Sequence, residues 1–171
     1  MAEETTYRLT PSESVTVRRH DDEVLEVEGS YGPKGKPPPA HHHPAQDEHF
    51  EVIEGSLRTK VDGEERLLEK GDVLDIPRGT PHQMWNDADD PARVKWETRP
   101  PGRTEEWFRS INALYEDGTV DEDDRASPLA FGVLLQEYDD VFRLSLGPDP
   151  VAKPLVGLLA FLGRLRGYRA R

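Results

Sequence analysis

Three histidines and one glutamate are spaced along this chain as metal ligands are. His41, His43 and Glu48 follow the pattern His-x-His-x4-Glu, and His82 comes later in the sequence. In a β-strand, successive side chains alternate faces, so residues two apart point the same way. His41 and His43 therefore share a face, whereas His42 points to the other. Three imidazoles and one carboxylate together predict a metal site.

Apolar residues continue the strand faces that carry two of these ligands. Alternation places Phe50 and Val52 on the side of Glu48, and Met84 on the side of His82. Such residues suit the inside of a barrel, where they form either a pocket wall or ordinary core. The candidates for a substrate pocket are Phe50, Val52, Met84 and Trp96. By the same alternation His49 faces outward.

The ligand types limit the choice of metal. The chain has no cysteine, so the metal must be held by nitrogen and oxygen. Imidazole and carboxylate suit a divalent transition metal such as Fe, Mn, Co, Ni, Cu or Zn, and the sequence does not choose among them. Four protein ligands on a five- or six-coordinate ion leave positions for water, substrate or dioxygen. We therefore expect an open site.

The ligands lie within two longer motifs. GKPPPAHHHPAQDEHFEVIEG covers 35–55, and GDVLDIPRGTPHQMWN covers 71–86. These stretches resemble the two conserved motifs of the cupin superfamily, Gly-x5-His-x-His-x3-4-Glu-x6-Gly and Gly-x5-Pro-x-Gly-x2-His-x3-Asn. The matching positions are Gly35, His41, His43, Glu48, Gly55, Gly71, Pro77, Gly79, His82 and Asn86. The resemblance implies a mainly β fold, an antiparallel jelly-roll barrel or double-stranded β-helix, whose metal is bound inside by His41, His43, Glu48 and His82.

The rest of the chain indicates one barrel followed by a helical extension. A length of 171 residues suits one barrel with an appendage. We predict the barrel over 1–100, with early strands at 15–17 and 23–31, and a stiff Pro- and Gly-rich loop over 32–40. Further strands are separated by turn signals ending at Gly55, Gly63 and Gly71. The extension occupies 101–171.

Three segments of the extension have helical patterns. The first, 104–118, begins with a threonine read as a cap, and the second, 127–146, begins with Ser127 and Pro128, a favoured N-cap and N1 pair. The acidic stretch between them is expected to be a solvated loop. The third, 151–167, is apolar and then arginine-rich. Its apolar run is shorter than the roughly 20 residues of a bilayer span, so it packs on protein or lies on a membrane surface, and we favour packing.

Charge and termini limit the partners. The chain has 22 basic and 34 acidic residues, a net charge of −12, which disfavours nucleic acid and anionic membranes as partners. The first residues lack the basic and apolar layout of a secretory signal, so we expect a cytoplasmic protein. Cupins are often dimers, so the resemblance implies a homodimer. The expected ligand is a small-molecule substrate.

Three functions are consistent with such a site. The first is a metal-dependent dioxygenase acting on a small organic substrate, with Glu48 as catalytic base, because small cupins of this appearance include flavonol and diketone dioxygenases. The second is a metal-dependent isomerase, epimerase or lyase on a sugar or keto acid, and the third is a small-molecule-binding module without turnover. The ligand set does not separate them.

Overall fold

The computed structural model describes residues 4–120, 125–145 and 149–171, without the side chains of 149–152. The strands within these ranges are β1 (Thr6–Arg8), β2 (Glu13–His20), β3 (Leu25–Tyr31), β4 (His41–His42), β5 (Asp47–Glu54), β6 (Ser56–Val61), β7 (Glu64–Glu69), β8 (Val73–Ile76), β9 (His82–Trp85), β10 (Ala92–Arg99) and β11 (Arg143–Leu144). The helices are α1 (Thr104–Glu116), α2 (Pro128–Glu137) and α3 (Asp149–Leu165).

The strands form two antiparallel sheets around one core. One sheet has the order β1-β2-β3-β10-β5-β8, and the other has the order β11-β4-β9-β6-β7. Alternate residues of each strand point inward, as in β5, where Phe50 and Val52 are buried. Leu57 and Met84 of the second sheet belong to the same core cluster. The mainly β barrel with appended helices agrees with the predicted fold class.

The predicted strands and turns agree with the structure. The strand predicted at 15–17 lies within β2, the one at 23–31 contains β3, and 32–40 has no helix or strand. Gly55 turns the chain between β5 and β6 with a φ of 74°. A Cβ on this glycine would come within 2.6 Å of the Pro91 carbonyl oxygen, so the turn requires glycine.

The helix boundaries correct two predictions. Thr104 is the first residue of α1 and not its cap; the cap position is Arg103, with no side-chain capping bond. Ser127 and Pro128 do start α2, but α2 ends at Glu137, well short of 146. The chain then forms β11, because its backbone pairs with β4. The apolar residues Val141 and Phe142 lie in the short segment between α2 and β11, where they pack against the barrel core.

The third helix packs on the second through small residues. A Cβ on Gly132 of α2 would come within 2.6 Å of the Leu159 Cβ, so the two helices are in close contact. The opposite face of α3 exposes Leu158, Phe161 and Leu165. Among the described helices, none combines the length and apolar character needed to cross a bilayer. In the predicted acidic loop, 121–124 lie outside the described residues.

Candidate metal centre

The three predicted histidine ligands converge inside the barrel. His41 on β4 pairs in register with His82 on β9, and His43 follows β4 directly. One ring nitrogen from each imidazole lies within 4.8 Å of the others. His43 and His82 are each only 5% exposed. Strand pairing therefore brings together residues that are about 40 positions apart in the sequence.

Backbone carbonyls fix the orientation of all three rings. Nδ1 lies 3.0 Å from the Pro39 oxygen in His41, 2.7 Å from the Val141 oxygen in His43, and 2.9 Å from the Thr80 oxygen in His82. A carbonyl only accepts hydrogen bonds, so each Nδ1 carries the proton and donates it. In a neutral ring this leaves Nε2 with a free lone pair. This tautomer is the one used by a metal-binding histidine whose Nδ1–H is held by a carbonyl.

Glu48 on β5 supplies the carboxylate of the cluster. Its Oε1 lies 3.4 Å from His43 Nε2, and its Oε2 lies 3.1 Å from His82 Nε2. The indole nitrogen of Trp96 donates a hydrogen bond to Oε1 at 3.0 Å. Oε2 is buried and has no hydrogen-bond partner among the described residues. Glu48 therefore points an unsatisfied acceptor at the histidines.

The charges of these groups favour a cation between them. Burial alone would raise the pKa of Glu48, but His43 and His82 lower it to about 2. Burial holds the pKa of His41 well below its ordinary value and also lowers the pKa of His43. His82 is also desolvated, yet the adjacent Glu48 carboxylate raises its pKa. Near neutral pH the cluster thus combines an anionic carboxylate with neutral imidazoles at His41 and His43, and His82 is the imidazole most easily protonated.

These donors fit a divalent transition metal. His82 Nε2 and Glu48 Oε2 are both acceptors in this tautomer, and two buried acceptors 3.1 Å apart require a proton or a cation beside them. Three imidazole nitrogens and a carboxylate oxygen match the preferences of first-row divalent ions. His41, His43, Glu48 and His82 are the residues that could hold such an ion.

The other two histidines of this region lie outside the cluster. His42 Nδ1 is 3.0 Å from the Ser145 hydroxyl oxygen. His49 faces the surface, where its Nδ1 is 2.7 Å from an Asp75 carboxylate oxygen. Both positions agree with strand alternation, which places these residues on the face opposite the ligands.

A cavity of about 130 Å³ adjoins the histidines. Three of the four predicted pocket residues, Phe50, Met84 and Trp96, line it. Val52 does not line it; it is 1% exposed and packs in the barrel core. The difference arises because Val52 lies four residues beyond Glu48 on β5, farther along the strand from the ligands.

The helical extension supplies much of the cavity wall, which the sequence did not predict. The aromatic and apolar residues added by the extension are Trp107, Phe108, Ile111, Phe131 and Phe142. The Phe142 ring stacks on the His41 imidazole, with centroids 4.4 Å apart. The helical apolar spacing of 104–118 indicated a packed face, but no sequence signal indicated that this face covers the ligands.

Gly79 holds the loop that precedes His82. It adopts a φ of 80°, which favours glycine, and its backbone N–H donates to the His43 carbonyl oxygen at 2.8 Å. Asn86 is buried, and its side-chain nitrogen donates to the Asp90 carbonyl at 2.8 Å. The backbone carbonyl of Asn86 accepts a hydrogen bond from the Gly35 N–H at 2.7 Å. These bonds tie the two motifs together and explain the fixed glycines Gly35 and Gly79 and the asparagine that ends the second motif.

Comparison with known proteins identifies the class to which the barrel belongs. Residues 28–96 match the Cupin_2 family, a cupin domain. The fold agrees, since the RmlC-like cupin from Shewanella frigidimarina NCIMB 400 superposes with a TM-score of 0.53 at 17% sequence identity, over 60% of this chain and 89% of that one. The barrel therefore contains a segment that matches a cupin domain and has the cupin fold, as its motifs predicted.

Curated relatives match shorter segments. The tetracenomycin polyketide synthase protein TcmJ of Streptomyces glaucescens is 42% identical over 60 residues, which are 35% of this chain and 40% of the relative. Quercetin 2,3-dioxygenase of Bacillus subtilis is 32% identical over 102 residues, which are 60% of this chain and 30% of the enzyme. The chain thus spans less than half the length of either relative.

Proposed function

We propose that this cupin is a metal-dependent dioxygenase that acts on a small, aromatic or enolic organic compound. The observation that carries the proposal is the position of the three free imidazole nitrogens and Glu48 at an aromatic-walled cavity. The matching segment of quercetin 2,3-dioxygenase supports the same class of reaction. A homodimeric state and a cytoplasmic location remain predictions.

The residues of the site have separate tasks in this proposal. His41, His43, Glu48 and His82 hold the ion, which when bound supplies a Lewis-acidic, redox-capable centre with open coordination positions. The rings of Phe50 and Trp96, stacked at 5.3 Å, form a flat apolar wall that orients a planar substrate. The extension covers this wall and keeps water from the reacting atoms.

The character of the cavity favours this proposal over a sugar isomerase, epimerase or lyase. Sugars carry many hydroxyls, and a site that binds them provides hydrogen-bonding side chains for those groups. Among the described residues that line the cavity, the polar side chains beyond the four ligands are Thr10, Glu13 and Tyr31. An apolar wall with so few polar groups suits an aromatic or enolic compound better.

The test combines metal analysis with oxygen uptake. Untagged protein purified without chelator is analysed for metals, and the loaded protein is then tested against flavonols, diketones and catechols. We expect near-stoichiometric metal and substrate-dependent oxygen consumption. His82→Ala should lose both, because it removes one of three clustered imidazoles. His42→Ala is the matched control and should keep both, because His42 lies outside the cluster.

Two results would count against the proposal. Absence of metal in protein that is fully folded would remove its basis. Bound metal with no oxygen uptake across the whole panel would instead favour isomerase, lyase or binding-module function.

A further inference from the structure

A second carboxyl group lines the cavity. Glu13 begins β2, and alternation places it on the same inward face as Val15 and Val17. Together with Glu48 it provides the carboxyl groups among the described residues of the cavity wall. Nothing in the metal cluster uses Glu13, so its presence among aromatic rings requires another explanation.

Tyr31 on β3 is the cross-strand neighbour of Glu13 in the pairing of β2 with β3. The Tyr31 side chain is buried, its hydroxyl lies 3.7 Å from the Met84 sulfur, and the same hydroxyl interacts with the Glu13 carboxyl. Burial raises the pKa of Glu13 to about 7; the Tyr31 hydroxyl opposes this rise, and the Glu48 charge adds to it. Burial and the Glu13 charge also raise the pKa of Tyr31 well above its ordinary value.

The two carboxyl groups of the cavity therefore have different surroundings. Both oxygens of Glu48 face the ligand imidazoles, and one of them also accepts from the Trp96 indole. The Glu13 carboxyl interacts with the neutral Tyr31 hydroxyl and lies next to the space that a ligand would occupy. A general base works best when it is within reach of the substrate and titrates near the operating pH. Glu13 meets both conditions.

We propose that Glu13, oriented by Tyr31, is the proton acceptor of this cavity, and that the cavity takes compounds with an acidic enol or phenol hydroxyl. The ligand O–H bond breaks, its electron pair stays on the ligand oxygen, and the proton forms a new O–H bond on the Glu13 carboxylate. No oxidant takes part in this step. The inference rests on the proposed function, because the resulting anion is the form suited to a cation between the histidines.

Binding of catechol to the zinc-loaded protein tests this step without oxygen chemistry. Catechol is neutral at about pH 8, whereas Glu13, with a pKa of about 7, is mostly ionised there. Ultraviolet absorbance reports whether bound catechol has become catecholate. Calorimetry in two buffers of different ionisation enthalpy gives the number of protons released to solvent.

In the wild type we expect a catecholate spectrum with little net proton release, because the catecholate anion beside Glu13 raises the pKa of its carboxyl above the assay pH, so that Glu13 keeps the proton. In Glu13→Gln the proton has to go to the buffer, so release should rise to about one per catecholate formed. Affinity should also fall about tenfold with the loss of a charged hydrogen-bonding group. Tyr31→Phe should weaken binding but keep proton release low. Glu51→Gln, a change on the exposed face of β5, should match the wild type.

Several outcomes would overturn the proposal. Equal proton release in the wild type and Glu13→Gln, with zinc bound to both, refutes the role of Glu13 and leaves the metal site intact. Catechol that binds in its neutral form, or does not bind, refutes the ligand class. Failure of the wild type to bind zinc refutes the proposed function along with this inference. Unfolding in urea checks that Glu13→Gln is folded. We expect it to be, because the neutral amide of glutamine should not impair folding.

Discussion

Trp96→Phe tests whether the surroundings of Glu48 control metal binding. The indole nitrogen of Trp96 donates to Glu48 Oε1 at 3.0 Å in a buried position. The indole also packs against Phe50 and Phe108, each with a centroid distance of 5.3 Å. Phenylalanine keeps an aromatic ring between these neighbours but has no N–H. The substitution therefore removes the donor while keeping most of the packing.

The size of the effect follows from the burial of this bond. A hydrogen bond to a charged group contributes about 1.5–3 kcal/mol, and Glu48 is only 3% exposed, so water does not replace the lost donor. At about 1.4 kcal/mol for each tenfold change, this corresponds to a roughly 10- to 100-fold weaker zinc affinity. The smaller ring also leaves a void, which lowers the free energy of unfolding of the metal-free protein. This loss of stability is measured separately from the zinc affinity.

Competition for zinc with a chromophoric chelator gives the affinity, and urea unfolding of the metal-free protein gives the stability. Trp85→Phe is the matched control. Trp85 is the last residue of β9, and alternation turns its side chain away from the face of His82 and Met84. We expect its zinc affinity to equal that of the wild type. If Trp96→Phe and Trp85→Phe bind zinc equally well, the indole bond does not support the ligand and the reasoning fails.

Three further substitutions test the helix packing and the surface charges. Gly163→Ala would press a methyl group against the Leu129 carbonyl oxygen, so urea unfolding should show a loss of roughly 1–3 kcal/mol. Gly157→Ala meets nothing within 4 Å and should gain up to about 1 kcal/mol; equal effects would contradict the close packing of α2 and α3. Hydrogen bonding to Lys95 lowers the pKa of Glu97 from 4.5 to about 2. The stability that the Glu97 carboxylate contributes is therefore complete above about pH 4.5 and is lost as the pH falls towards 2. Thermal melts of Glu97→Gln should therefore differ from those of the wild type above about pH 4.5 and agree with them near pH 2.

The sequence places His41 and His43 together because strand alternation is local, whereas their grouping with Glu48 and His82 followed from the resemblance to the cupin motifs. His41 and His43 share a face through strand alternation alone, and so do Glu48 and Phe50. Alternation also explains β10 (Ala92–Arg99), in which every second residue is buried. Which face of a strand a side chain occupies depends only on its neighbours in the sequence, so it can be predicted without knowing how the strands pair.

The sequence did not predict the part of the site that depends on distant pairing. The apolar residues after Glu137 fit a continued helix, and only pairing of β11 with β4 shows that Phe142 reaches His41. Glu13 was also missed, although its alternation with Val15 indicated an inward side chain. A charged residue near a strand end normally lies at the surface, and the position of Glu13 at the cavity wall depends on where Tyr31 and α1 are placed.

The candidate metal centre therefore involves both regions of the chain. The predicted division at residue 100 separates all four candidate ligands from the extension, yet the extension supplies the Val141 carbonyl that accepts the Nδ1 proton of His43 at 2.7 Å. That bond sets the tautomer in which Nε2 is free for a metal, and the neighbouring Phe142 ring covers His41. Since a wrong tautomer would direct a proton at the cation, the extension acts on the chemistry of the ligands as well as on access to them.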